Sequence, residues 1–141
     1  MDFYSLPITK FMTKKVITAD IECTVQSVCK SMYDNNVGSV VIEKRTNGWI
    51  VPVGIITERD VVKIIGSIEP FSPQVPIRPF MSSQLVTGRS VWTLSKAIEI
   101  MSEKKIRRLP ITEKDSVREK LVGIITEKDI INAIVKQNRS S

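Results

Sequence analysis

Histidine is absent from the 141 residues, and cysteine occurs only as Cys23 and Cys29. Without an imidazole, the common zinc patterns and any Ser-His or Cys-His catalytic unit are excluded, and two cysteines make no disulfide framework. Cys29 falls on an apolar helical stripe, where cysteine behaves as a small hydrophobe. Six glycines and seven prolines are too few for a collagen-like or low-complexity chain, and 42% hydrophobic with 26% charged residues is the balance of a folded protein. There is no glycine-rich phosphate loop and no carboxylate cluster at metal-ligand spacing, so neither a general base nor a nucleophile stands out. No enzyme and no catalytic cofactor are expected. No apolar run approaches the roughly 18 residues of a membrane span, and Met1-Asp2-Phe3-Tyr4 lacks the basic start of a signal peptide. A cytoplasmic protein without a membrane partner is expected.

What the chain does have is a duplication. Laid on itself at an offset of 69, it matches without a gap from residue 7 to 65, with 16 identities in 59 pairs. Pro7-Ile8 meets Pro76-Ile77, Phe11-Met12 meets Phe80-Met81, and Val53-Gly-Ile-Ile-Thr-Glu-Arg-Asp60 meets Val122-Gly-Ile-Ile-Thr-Glu-Lys-Asp129. The first copy is read over 5–66 and the second over 80–137. Between them, residues 67–79 include Pro70, Pro73, Pro76 and Pro79, which exclude helix and central strand and predict a stiff connector. Gln137–Ser141 reads as a polar fray.

Each copy spells the same elements. Val25, Val28, Cys29 and Met32 recur at helical spacing, as do Leu94, Ala97, Ile98 and Met101, each stripe preceded by a threonine suited to cap it. Val37–Ile42 and Ile50–Ile56, like Ile106–Ile111 and Lys120–Ile125, read as strands, with Asn47-Gly48 as a turn and Pro52 marking an edge or distortion. Second helices follow over Glu58–Ile65 and Glu127–Lys136. With short strands at Val16-Ile17 and Leu85-Val86, each copy is predicted to be β-α-β-β-α, in the α+β class.

The repeated Gly-Ile-Ile-Thr-Glu-(Arg/Lys)-Asp admits two readings. A strand ends at Thr57 or Thr126 and a helix begins, so unpaired N–H groups and the helix dipole favour a phosphate there, with the hydroxyl as a further donor. Asp60 or Asp129, one turn on, is an acceptor suited to paired ribose hydroxyls. The same spacing also spells a capping box, in which the threonine caps the helix and the aspartate reaches back to its N–H.

Tandem β-α-β-β-α copies, each closing on Gly-Ile-Ile-Thr-x-x-Asp and each introduced by Phe-Met-(Thr/Ser), resemble a stand-alone cystathionine-β-synthase (CBS) domain pair. The resemblance covers roughly residues 5–136 and implies two pseudo-symmetric repeats packed through their sheets into one module with two clefts. It also implies a regulatory adenine nucleotide (AMP foremost, with ADP and ATP), a homodimer and a regulated partner protein. Carried over residue by residue, it sets Thr57 and Asp60 opposite Leu85, Arg107 and Arg108, and Thr126 and Asp129 opposite Val16, Gly38 and Ser39. Because copy two has Arg107-Arg108 where copy one has Gly38-Ser39, the cleft with the guanidinium groups is expected to hold phosphate more tightly. The other is expected to be weak, empty or selective for a less charged adenosine derivative. Arg59 and Lys128, inside the motifs, either assist with phosphate or face water, and Trp92 either stacks on a ligand or covers the sheet.

Net charge is +6, and all of the excess lies after residue 69. Lys104-Lys105-Ile-Arg107-Arg108 therefore leaves nucleic-acid binding as an alternative, against which no aromatic interleaves the basic run. A protein-interaction module that has lost its ligand is the other alternative.

Overall fold

The computed structural model describes residues 2–81 and 84–140, the side chains of 138–140 excepted. Besides short 3-10 turns at Phe3–Ser5, Ile8–Lys10 and Arg78–Phe80, ten α-helices and β-strands follow in order among the described residues: β1 (Thr18–Asp20), α1 (Val25–Asn35), β2 (Ser39–Thr46), β3 (Trp49–Thr57), α2 (Glu58–Gly66), β4 (Gly88–Arg89), α3 (Leu94–Lys104), β5 (Arg108–Lys114), β6 (Glu119–Thr126) and α4 (Glu127–Ser140). Each half is thus β-α-β-β-α, and the class is α+β as expected.

The first helix of each half begins where its threonine caps it. The Thr24 hydroxyl accepts the Ser27 N–H at 3.2 Å, and the Thr93 hydroxyl accepts that of Lys96 at 3.1 Å. Both helices stop at a left-handed residue, Asn36 (φ 51°) and Lys105 (φ 56°). The stripes behind the caps, Val25, Val28 and Met32 and then Leu94, Ala97 and Met101, are buried. Cys29 is half-buried and packs against the first of these cores, and burial pushes the Cys23 thiol above its ordinary pKa. Both facts suit packing rather than thiolate chemistry.

Two three-stranded sheets form, in the orders β1-β2-β3 and β4-β5-β6, with the first pair of each parallel and the second antiparallel. The first strands begin two and three residues later than the apolar pairs Val16-Ile17 and Leu85-Val86 suggest. Parallel pairing to β2 and β5 decides their position: Thr18 stands opposite Val41, and Gly88 opposite Ile111. Asn47 and Gly48 turn the first hairpin with positive φ at both, which suits a type I′ geometry. Both hairpins carry the same bulge. Ile42 faces Gly54 while Glu43 faces Pro52, which leaves Val53 unpaired, and Val122 is left unpaired likewise. Pro52 therefore sits on an edge strand beside a distortion. At the carboxyl end, α4 continues through the expected fray to Ser140.

Two compact units divide the chain. Ile17–Leu85 is one, and Met1–Val16 with Val86–Ser141 is the other. Their cores explain this division. Ile77, from the proline-rich stretch, is fully buried with Val28, Ile42, Ile56 and Ile64, and Val75 packs beside it. Ile8, from the start of the chain, is fully buried with Leu94, Leu109, Ile111 and Ile125. Backbone bonds tie these straps down: Ile77 N–H to Cys23 O at 2.9 Å, Val25 N–H to Val75 O at 3.0 Å, Ile8 N–H to Trp92 O and Leu94 N–H to Leu6 O at 2.9 Å. The strap preceding each repeat thus belongs to the unit built on the other repeat.

Candidate functional site

The closing motifs are shaped first by the glycine. In β6, a Cβ on Gly123 would stand 2.6 Å from the Met12 sulfur, and in β3 one on Gly54 would stand 2.2 Å from Met81 Cε. The methionine of each Phe-Met strap therefore lies on the bare backbone of a closing strand, next to the bulge. Beyond the glycine, two isoleucines complete the strand, and the threonine turns the chain into the helix.

At that turn the capping box forms in both copies. Thr57 donates its N–H to Asp60 Oδ2 at 2.8 Å and its hydroxyl to the same oxygen at 2.9 Å, and Asp60 returns its N–H to Thr57 Oγ1 at 3.2 Å. Thr126 N–H reaches Asp129 Oδ2 at 3.0 Å, and Asp129 N–H reaches Thr126 Oγ1 at 3.2 Å. The first helical N–H is spoken for as well: Glu58 donates to Gly38 O at 3.1 Å and Glu127 to Arg107 O at 3.0 Å. Two of the helix-start donors considered for phosphate are thus engaged by the protein itself. The carboxylates keep acceptor capacity, since a carboxylate offers about four lone-pair sites.

The two units gather the expected residues as follows. In Ile17–Leu85, Ser39 pairs with Thr57 across the sheet, Gly38 caps α2 through its carbonyl, and half-buried Leu85 ends the unit. In the other, Arg108 pairs with Thr126, Arg107 caps α4 through its carbonyl, and half-buried Val16 ends the first strap. The Arg107 guanidinium lies 3.9 Å from the Glu127 carboxylate, with both side chains well exposed. Arg59 and Lys128 are exposed. Trp92 lies against Gly88 in β4 with Lys96 Nζ 5.6 Å above its ring, which places it as a cover on the sheet.

Thr13 was not among the residues expected at the site. Thr13 exchanges backbone bonds with Ile124 at 2.8 and 2.9 Å, and its hydroxyl donates to Asp129 at 3.3 and 3.4 Å. Its signal in the sequence is the repeated Phe-Met-(Thr/Ser). The second instance, Ser82, lies outside the described residues.

Each aspartate also borders a groove in its own unit. That of Asp60 encloses about 400 Å³ and includes Lys63, Ile64, Ser67 and Phe80. That of Asp129 encloses about 460 Å³ and includes Phe3, Lys10, Phe11, Asn132 and Lys136. Both volumes suit a small organic ligand. Among the described residues, no three His, Cys, Asp or Glu side chains converge to hold a metal. Nor is any helix among them long and apolar enough to cross a membrane.

Comparison with known proteins agrees with this architecture. An uncharacterized protein of Methanopyrus kandleri is 34% identical over 127 residues, which are 90% of this chain but 62% of that protein, so the chain spans less than two-thirds of this relative. The CBS domain-containing protein YhcV of Bacillus subtilis is 29% identical over 131 residues, 92% of this chain and 87% of that one. A CBS domain protein of Pyrobaculum aerophilum, solved in complex with AMP, shares the fold with a TM-score of 0.76 at 21% identity, over 96% of this chain and all of that one. The sequence profile of the CBS domain matches residues 8–67 and again 77–136. With that double match taking in most of its length, the chain belongs to the CBS domain family and carries the domain twice, as a tandem pair.

Proposed function

We propose that this chain is a regulatory module that binds an adenine nucleotide, AMP foremost, and passes the ligand state to a partner protein. The observation that carries this reading is the double Gly-Ile-Ile-Thr-Glu-(Arg/Lys)-Asp, closing both CBS domains with a threonine hydroxyl and an aspartate carboxylate side by side. A helix cap alone accepts Ser, Asn or Glu in these roles, so identical Thr and Asp in both copies favour a second duty. That duty is acceptance of ribose hydroxyls by Asp60 and Asp129. AMP in the Pyrobaculum protein of this fold supplies the ligand class. In the proposed arrangement Thr57 and Asp60 work with Leu85, Arg107 and Arg108, and Thr126 and Asp129 work with Val16, Gly38 and Ser39. Ligand that prefers one arrangement of the repeats, or of a homodimer, biases that arrangement by its differential affinity, and the partner reads the bias.

Thermal unfolding with AMP, ADP, ATP, S-adenosylmethionine and GTP tests the reading directly. A ligand at about 100 times its Kd adds roughly 2.7 kcal/mol of stability and a clear rise in Tm. A rise confined to the adenine ligands is expected. No rise with any of them reduces Thr57, Asp60, Thr126 and Asp129 to helix caps.

A further inference from the structure

Val62 on α2 and Ile131 on α4 occupy equal places in the two repeats, and both stand in solvent, 73% and 60% exposed. Beside Ile131, α3 and α4 leave a groove of about 450 Å³, lined by Ile98 and Met101 from one helix and Ile130 and Ile131 from the other, with Ser102 and Lys105 among its bordering residues. At equal places in the first repeat, Tyr33 stands for Ser102 and Asn36 for Lys105. Tyr33 is 88% exposed, so the first repeat raises an aromatic knob at the place where the second is cut back to a serine beside a hollow.

Charge has diverged in the same sense. Glu127 has the Arg107 guanidinium 3.9 Å away, whereas Gly38 stands where Glu58 would find the same partner, and Glu58 has no ionic partner among the described residues. Lys105, beside the groove, has none among them either. Residues 17–85, the unit with the knob, hold six Lys/Arg against seven Asp/Glu, and the unit with the groove holds fifteen against eight. Two copies meeting through the same face would set knob against knob, or lysine against lysine. Unlike faces set an aromatic ring over an apolar hollow and a weakly acidic unit against a strongly basic one, and buried tyrosines are among the side chains that dominate binding energy.

We propose that the groove between α3 and α4 seats a second copy of this chain, which fills it with Tyr33 and lays α1 and α2 over α3 and α4, so that the first repeat of one copy meets the second repeat of the other. The homodimer named above thereby acquires its faces, and the difference between Tyr33 and Ser102 selects them. The contact does not rest on nucleotide binding, and neither residue belongs to the proposed nucleotide site.

Sedimentation of the full chain over a range of concentrations up to millimolar tests the pairing. The wild type is expected to associate. Tyr33→Ala, which removes the knob, and Ser102→Trp, which fills the hollow, are each expected to weaken association at least tenfold while keeping the helical circular dichroism of the wild type, since both positions are exposed. An equimolar mixture of the two variants is expected to associate more tightly than either alone, because Tyr33 of one still finds the open hollow of the other. A wild type that stays monomeric throughout overturns the proposal. So does a Ser102→Trp chain that associates like the wild type while Tyr33→Ala does not, which is pairing of like faces through α1, and so does a mixture no tighter than its parts. In each of these cases a rise in Tm with AMP leaves the nucleotide reading standing. Pairing through unlike faces in a chain that no adenine ligand stabilises keeps the proposal and overturns that reading.

Discussion

Glu43 is 4% exposed, and among the described residues its ionic partner is the Arg45 side chain, whose Nε lies 2.9 Å from Oε1. The other carboxylate oxygen, Oε2, has no hydrogen-bond partner among the described residues. At the same place in the second repeat stands Thr112, fully buried, which satisfies itself through Glu119 at 2.8 Å. A buried carboxylate stripped of its partner suffers the full cost of desolvation, whereas an exposed ion pair is worth little. Arg45→Ala is therefore expected to lower stability by about 1–3 kcal/mol in urea unfolding, and by clearly less in a Glu43→Gln background. Equal losses in both backgrounds mean that Glu43 is not the reason. Arg107 and Arg108 belong to the same scale but to function. Exposure and one long contact to Glu127 give Arg107 little structural duty, so changing both arginines to alanine should leave Tm nearly unchanged while weakening AMP at least tenfold, about 1.4 kcal/mol. Calorimetry showing wild-type affinity removes them from the site.

At the level of elements, the glycine of each closing strand, the bulge before it and the methionine laid over it act as one joint. Gly54→Ala brings a methyl group to 2.2 Å from Met81 Cε, a flexible side-chain end that must move. Overpacking of this kind costs about 1–3 kcal/mol. Combining it with Met81→Ala should cost less than the two changes summed, since the second makes the room the first demands. Strict additivity in chemical denaturation argues against the contact. The methionine-on-glycine contact also shows what the sequence makes legible and what it hides. Caps at Thr24, Thr57, Thr93 and Thr126, the helical stripes and the Asn47-Gly48 turn are local patterns, spelled within four to eight residues, and the structure has them where the letters place them. Positions of β1 and β4 are settled by partners some twenty residues away, and the short apolar pairs mark them two and three residues early. Thr13 beside Asp129, and Met12 on Gly123, join residues more than a hundred apart. The repeat hints at such contacts only by keeping Phe-Met before both copies, because periodicity within one segment carries no signal for the segment it meets.

For the whole molecule the decisive fact is that repeats and compact units are out of phase. The CBS profile ends its first match at residue 67, yet the unit holding that repeat runs Ile17–Leu85 and takes Ile77 and Val75 into its core. Removing residues 70–85 from this unit deletes a fully buried isoleucine and exposes the backbone of Cys23 and Val25 that the strap covers. A Leu, Ile or Met truncated to alanine in a core costs about 2–5 kcal/mol, and a domain of some 70 residues is only marginally stable to begin with. A fragment of residues 17–85 is therefore expected to show helical circular dichroism and a cooperative melt, whereas a fragment of 1–69, cut at the sequence repeat, should not. The converse experiment uses the other unit. Residues 86–141 alone lack Ile8, which is 0% exposed among Leu94, Leu109 and Ile111, and lack the two backbone bonds from Thr13 to Ile124. A synthetic peptide of residues 2–16 should restore a cooperative melt to that fragment, and Ile8→Ala in the peptide should abolish the effect. If instead 1–69 melts cooperatively while 17–85 does not, the sequence repeat is the folding unit and the exchanged straps are ornaments on it.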